Sequence, residues 1–195
     1  MKLIQRAGMR VALMITTAAM LSCSTDISRN TSPVDLVVTN SQSINQIDLA
    51  GNSGNSTGCS GSVGTINVEV RAKNPSNVDQ QFNDVRITRY RVSYVRTDGG
   101  TAVPAPFVRS IDFLVKAAAG STPINNFVIL TSEQLNQAPF ASLLPTNGGR
   151  DPQTGRTRVD MDVVVELFGQ TLAGTNVSGT TRFTMTFCFN CGGCA

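Results

Sequence analysis

One segment near the end of the chain restricts the possible folds more than any other feature. Residues 156–168, RTRVDMDVVVELF, place an apolar side chain at every second position from Val159 to Leu167. A period of two is that of a β-strand with one face in a core and the other towards solvent. A helix would scatter the same side chains around its axis. The segment therefore predicts a long, half-buried strand whose inner face is Val159, Met161, Val163, Val165 and Leu167.

Further segments carry strand patterns and are separated by turn-forming residues. The third strand, 84–97, changes its inward positions from odd to even near Thr88 and Arg89, which indicates a β-bulge. One helix is expected over 131–144, with Thr131 or Ser132 as its N-cap. Because strands and helices do not alternate, the chain predicts an all-β fold. The seven expected strands are 44–50, 65–74, 84–97, 106–115, 124–130, 156–168 and 177–189.

This series of strands resembles an immunoglobulin-like or fibronectin-III-like β-sandwich, over about residues 44–190. The chain has no Trp and its sixth strand has no Cys, so the similarity is to an architecture and not to a family motif. The resemblance implies a seven-stranded antiparallel sandwich with one short helix before the sixth strand. It also implies that strands three and six are neighbours, and that strand one ends beside the end of strand seven.

The first 22 residues have the features of an export signal. Lys2, Arg6 and Arg10 form a basic start, and the apolar run at 11–21 is too short to span a bilayer as a helix. Removal of this leader leaves 13 of the 16 basic residues against 13 acidic ones. The mature protein is therefore formally neutral, which argues against a nucleic-acid partner.

The end of the leader, Met20-Leu21-Ser22-Cys23, resembles the lipobox of bacterial lipoproteins. The resemblance implies that Cys23 becomes the N-terminus and carries acyl chains, and Ser24 favours the outer membrane of a Gram-negative cell. Residues 23–43 are expected to be a polar tether, although Leu36, Val37 and Val38 could instead form a first strand. Residues 44–195 then form the domain, with a Cys-rich tail.

Four cysteines remain after Cys23, and the expected sandwich brings them to one end of the domain. An even number of cysteines in an oxidising compartment usually forms disulfides. One bridge from Cys59 to the tail and one within the tail would use every sulfur. A four-thiolate metal site and a redox pair are the alternatives. Haem attachment is excluded because the chain contains no His. The four residues are Cys59, Cys188, Cys191 and Cys194.

Charged residues on the polar sides of strands three and six are the other candidate site. The absence of His removes Ser–His and Cys–His nucleophilic chemistry, so no catalytic residue is assigned. Neighbouring strands would pair the arginines with the carboxylates in a solvent-facing ladder. A binding face for a charged partner and a glycosidase-like carboxylate pair are the alternatives. The residues are Arg86, Arg89, Arg91, Asp160, Asp162 and Glu166.

Together these features predict a non-enzymatic lipoprotein of the cell envelope, without a metal or other cofactor. Its membrane contact is the lipid anchor, and its expected partner is an envelope protein that it binds in adhesion, assembly or scaffolding. The alternative is a redox or metal-carrying lipoprotein that uses the cysteine cluster. In either case the lipid lies at one pole of the domain, while the cysteines, the helix and the loop 144–155 lie at the other.

Overall fold

A computed structural model of the protein describes residues 32–40, 45–50, 62–74, 76 and 81–191. These residues form two packed β-sheets with little helix, so the all-β sandwich is confirmed at this level. The strands are β1 (Val34–Asn40), β2 (Gln46–Asp48), β3 (Ser62–Ala72), β4 (Val85–Arg96), β5 (Phe107–Val115), β6 (Thr122–Val128), β7 (Arg158–Thr171) and β8 (Asn176–Cys188). The helices are α1 (Ser132–Leu135) and α2 (Phe140–Leu143), with 3₁₀ turns at Gln81–Asn83 and Pro145–Asn147.

The strand order is β1-β3-β6 in the smaller sheet and β2-β8-β7-β4-β5 in the larger one. Strands β4 and β7, which are the third and sixth expected strands, pair antiparallel from Val85–Thr171 to Arg96–Met161. Their register shifts between Ile87 and Arg89, at the position of the expected bulge. The short strand β2 runs parallel to β8 and places Asp48 beside Cys188. The first expected strand therefore ends where the last one ends, as the sandwich architecture implies.

Eight strands are present in the described residues where the sequence pattern predicts seven. The additional strand is β1, in a segment expected to be tether with a strand as the alternative. Its side chains Val34, Leu36 and Val38 alternate with more exposed residues and are buried in the core. Strand β1 pairs antiparallel with β3, so the domain begins before residue 44. Strand β1 has only four apolar residues, so its sequence pattern is only a weak indication of a strand. Its strand conformation depends on the pairing with β3.

The single helix expected over 131–144 is two helices of four residues each. Thr131 occupies the N-cap position of α1, as expected. Pro139 lies between α1 and α2, and because proline has no backbone N–H it cannot continue a helical hydrogen-bond pattern. No helix in the described residues has the length and apolar character that a membrane span requires.

The core contains the alternating side chains that the sequence pattern assigns to it. All five apolar residues of the inner face of β7 are fully buried, and they pack with the inner faces of β4 and β8. Tyr90 and Tyr94 reach across from β4 to the other sheet, where their hydroxyls donate to the carbonyls of Val128 and Ile129. The tyrosines therefore link the two sheets by hydrogen bonds inside an otherwise apolar core.

The strand directions define two poles. The backbone N–H of Lys73 donates to the carbonyl of Pro33 (2.9 Å), so the chain enters the domain beside the end of β3. The entry pole comprises residues 32–33, 73–74, 81–84, 116–121 and 172–175. The cysteine pole comprises residues 97–106, 129–157 and 189–191. The helices and the loop 144–155 thus share a pole with Cys191, opposite the point of chain entry.

Candidate functional site

The candidate charged residues lie on the outer surface of the five-stranded sheet, which we call the charged face. It comprises Arg86, Arg89, Arg91, Asp112, Asp160, Asp162, Glu166 and Arg182. Arg91 and Glu166 are directly opposite each other on β4 and β7, and their side chains form a salt bridge of 2.9 Å. This pair has the cross-strand geometry expected of a solvent-facing ladder.

Two other charged residues of β4 and β7, Arg86 and Asp162, pair with residues on strands outside these two. Arg86 forms a bidentate pair with Asp112 on β5, with one N–O distance of 2.7 Å. Asp162 instead accepts from Arg182 and from the Thr184 hydroxyl on β8, each at 2.6 Å. Pairing between strands three and six alone therefore accounts for only part of the ladder, because each strand has a second neighbour.

Arg89 and Asp160 complete the set, and neither forms a salt bridge among the described residues. The Arg89 guanidinium lies 5.1 Å from the centre of the Phe168 ring, in a cation–π contact beside the bulge. Asp160 accepts a hydrogen bond of 2.7 Å from the Thr186 hydroxyl. Asp160 and Asp162 thus bind separate donors, which leaves the glycosidase-like pair without geometric support.

Side-chain hydrogen bonds dominate the electrostatics at the exposed edge of the charged face. The hydrogen bond from Arg86, assisted by its charge, lowers the pKa of Asp112, and the same interaction raises the pKa of Arg86. Both groups therefore stay ionised over the physiological range. Such a face offers charges that already have partners, which favours a structural ladder over a strong binding site for a charged ligand.

Cys188 and Cys191 form a disulfide at the cysteine pole, with a Cα–Cα distance of 5.9 Å. One bridge within the tail is thus present. The other predicted positions, Cys23, Cys59 and Cys194, lie outside the described residues. Because Cys188 and Cys191 are bonded to each other, their sulfurs are not available as thiolate ligands in this state.

Cys188 is buried although its side chain lies on the outer side of β8. The residue does lie on the opposite side of β8 from Phe187, yet it is only 4% exposed. Strand β2 runs alongside, and the Cys188 sulfur is 3.8 Å from the carbonyl oxygen of Ile47. The chain then turns back at Asn190, so that Cys191 covers it. Alternation along β8 places Cys188 on the outer side of the strand, but it does not reveal that β2 and the tail cover that side.

Asp48 is a buried carboxylate beside this disulfide that the sequence pattern does not single out. Its Oδ1 accepts from the backbone N–H groups of Ala50 (3.0 Å) and Asn190 (2.9 Å). Its Oδ2 accepts from the N–H of Cys191 (3.0 Å). A carboxylate that receives several backbone N–H groups forms strong, charge-assisted bonds. Asp48 therefore attaches the disulfide tail to the end of β2.

A second buried group, the Arg96 cluster, consists of Arg96, Asp98 and Asp151. Arg96 donates to Asp98 (2.7 Å) and to Asp151 (2.8 Å), and the three side chains are 2%, 0% and 1% exposed. Asp151 also accepts from the N–H and hydroxyl of Thr154. Burial alone disfavours the charges, but mutual hydrogen bonds outweigh it, so the pKa of Asp98 and of Asp151 is lowered. The cluster joins the turn after β4 to the loop before β7.

Three glutamines complete the polar network of the cysteine pole. Gln153 accepts from the backbone N–H groups of Thr101 (2.7 Å) and Ala102 (2.8 Å), and Gln137 accepts from that of Ala105 (2.7 Å). The buried Gln134 donates to the carbonyl of Ala105 (2.8 Å). The extended segment 101–106 is thereby held against the loop 129–157, and this pole has a preorganised surface.

No protein-family model, curated protein or solved structure matches the chain. Within the described residues, no group of three or more Cys, Asp or Glu side chains is placed to hold a metal ion.

Proposed function

We propose that this protein is a non-enzymatic lipoprotein of the Gram-negative outer membrane that binds an envelope protein in adhesion, assembly or scaffolding. The observation that carries the proposal is the separation of the two poles. The chain enters at one pole, a few residues after the lipobox-like Cys23, and the disulfide and the bonded loops lie at the other. A partner would bind the cysteine pole, away from the membrane.

We further propose that the sandwich is immunoglobulin-like or fibronectin-III-like. In that architecture the second and fifth strands share one sheet, and the third, sixth and seventh share the other. The pairs β3–β6 and β4–β7–β8 support this assignment. The split of the first strand between the sheets, as β1 and then β2, and the attachment of β5 to β4 are compatible variations of it.

A rigid binding surface is the physical argument for a binding role. Ordering of loops on association costs free energy, and loops that are already ordered avoid much of that cost. The Arg96 cluster, the glutamine contacts and the Cys188–Cys191 disulfide all order the cysteine pole before any partner is bound. The carboxylates of the charged face already bind side chains of the same domain, so this face is a weaker candidate for the binding surface.

Lipidation is the first prediction of this proposal. The full chain, expressed in a Gram-negative host, should lose residues 1–22 and carry acyl chains on Cys23, as measured by intact mass and by incorporation of labelled palmitate. The Cys23→Ala variant should incorporate no palmitate and should leave the membrane fraction. Ser24→Ala is the matched control and should be acylated normally. Cleavage at another position, or an unacylated mature protein in the membrane fraction, would contradict the proposal.

The alternative function, in redox or metal transfer, depends on the four cysteines of the domain. Two of them are paired as Cys188–Cys191, which leaves Cys59 and Cys194 as the proposed long-range bridge. Strand β2 ends beside Cys188, and Asp48 at its end precedes Cys59 by only 11 residues in the sequence, which supports this pairing.

Thiol counting separates the two functions. Protein purified from the envelope without reductant and then unfolded should show no alkylatable thiol among these four cysteines, and a non-reduced digest should contain a Cys59–Cys194 peptide. Free thiols together with bound zinc or iron in the native protein would favour the metal-carrying alternative. A mixed population that shifts with the redox state of the envelope would favour the redox alternative.

A further inference from the structure

The bulkiest exposed apolar side chains in the described residues lie at or next to the entry pole. Phe82 is 62% exposed, Leu172 is 55% exposed and Leu114 is 46% exposed. These three are larger than any other exposed apolar residue of the described chain. The remaining ones are valines at other sites: Val95, Val103 and Val108.

Backbone contacts bring Phe82 and Leu172 together. The N–H of Ala173 donates to the carbonyl of Phe82 (3.4 Å), and the N–H of Leu172 donates to that of Asp84 (2.9 Å). The 3₁₀ turn before β4 is thereby joined to the turn between β7 and β8. Leu114 is close by, because it pairs with Arg86 near the start of β4. Phe82, Leu114 and Leu172 form what we call the entry patch.

The sequence limits how far the entry patch can be from a lipid anchor. Cys23 and Ser32 are nine residues apart, and nine fully extended residues span about 30 Å. Ser32 and Pro33 lie at the entry pole, where Pro33 bonds to Lys73. An acylated Cys23 would therefore keep this pole, and not the cysteine pole, next to the bilayer.

We propose that the entry patch inserts into the interface of the membrane that holds the lipid anchor, with Phe82 and Leu172 among the headgroups. This inference rests on the proposed acylation of Cys23. Exposed apolar patches mark interaction sites, and a bilayer interface accepts aromatic and leucine side chains. Lys116 is exposed at the same pole and forms no salt bridge with a described residue, so it can face lipid phosphates. Insertion orients the domain with the cysteine pole outward.

Tryptophan fluorescence tests this orientation directly, because the chain has no Trp of its own. The full-length variants Phe82→Trp and Leu172→Trp each contain one reporter at a site that tolerates a large side chain. Val108→Trp is the matched control, since Val108 is 59% exposed. It pairs with Arg91, six residues along β4 from Val85, which is about 20 Å from the entry pole. Each acylated protein is reconstituted into vesicles of phosphatidylethanolamine and phosphatidylglycerol, with or without brominated phosphatidylcholine.

The expected result is a blue shift of the emission and a loss of intensity with brominated lipid for the reporters at positions 82 and 172, and neither change at position 108. Acylated, vesicle-bound protein whose reporters at 82 and 172 behave like the control would overturn this inference and leave the lipid anchor intact. Intact mass without acyl chains would instead overturn the proposed anchor and this inference with it.

Discussion

Replacement of Arg96 by methionine should lower the free energy of unfolding by about 3–5 kcal/mol. The Arg96 side chain is almost completely buried between Asp98 and Asp151, and it donates hydrogen bonds to both. Its removal leaves two buried carboxylates without a cation, a change that costs far more than the loss of an exposed ion pair. Urea unfolding followed by far-ultraviolet circular dichroism measures the difference.

Arg91→Met is the matched control for this substitution. Arg91 lies on the same strand and forms a salt bridge of similar length with Glu166 (2.9 Å), but its side chain is 52% exposed. Loss of an exposed pair of this kind should cost less than about 1 kcal/mol. Equal effects of the two substitutions would mean that the buried Arg96 cluster contributes no more to stability than an exposed ion pair does.

Acid provides an independent check on the Arg96 cluster. Burial by itself raises the pKa of Asp98 and of Asp151, but Arg96 and the local hydrogen bonds lower both below the ordinary value. Such carboxyls stabilise the fold above their unfolded pKa, which is near 3.9, and this contribution is lost as the pH falls through the folded pKa. Without Arg96, burial raises the pKa of both carboxyls, so the stability difference between wild type and Arg96→Met should shrink as the pH falls, beginning above about pH 4 and ending below the lowered pKa of the wild-type carboxyls. A stability difference that does not change with pH would contradict the conclusion that Arg96 lowers the pKa of Asp98 and of Asp151.

The second large effect is expected from Asp48→Ala, at about 3 kcal/mol of lost stability. Asp48 is 2% exposed and accepts three backbone N–H groups, from Ala50, Asn190 and Cys191. The alanine variant leaves these donors without their acceptor and frees the tail from β2. Dithiothreitol should then reduce the Cys188–Cys191 disulfide faster than in wild type, as measured by timed alkylation and mass spectrometry.

Asp35→Ala serves as the control for Asp48→Ala. Asp35 is an exposed carboxylate on β1, with a 3.7 Å contact to Lys73. Its removal should leave the rate of disulfide reduction unchanged. If Asp48→Ala also left that rate unchanged, the attachment of the tail would depend on other contacts at the end of β8.

The strands of the larger sheet were predictable from sequence because their signal is local. Apolar side chains alternate from Val159 to Leu167 in β7 and from Phe183 to Phe187 in β8, and the buried residues are the expected ones, such as Met161 and Met185. The bulge in β4 was predictable for the same reason. The switch of its apolar side chains from odd-numbered to even-numbered positions can be seen in the sequence of this one strand, without its partner strands. The neighbouring positions of β4 and β7 followed from the sandwich architecture.

Polar residues were predicted least well, because their environment is made by distant parts of the chain. Arg96 and Asp151 are 55 residues apart, and Asp48 and Cys191 are 143 apart. Nothing next to Asp48 in the sequence distinguishes it from an exposed aspartate. The short segment of β1 was ambiguous in the same way, since its strand conformation depends on pairing with β3.

Local patterns in the sequence account for the alternating strands, the all-β class and the two faces of each sheet, because these depend on which side chains recur along a few neighbouring residues. The pairing of the charges and the burial of the polar groups depend instead on contacts between distant parts of the chain. Arg86 binds Asp112 and Asp162 binds Arg182 because strand order and register bring them within hydrogen-bond distance. The Arg96 cluster and the Asp48 contacts at the cysteine pole, and the entry patch at the opposite pole, arise in the same way, from segments that are far apart in the chain.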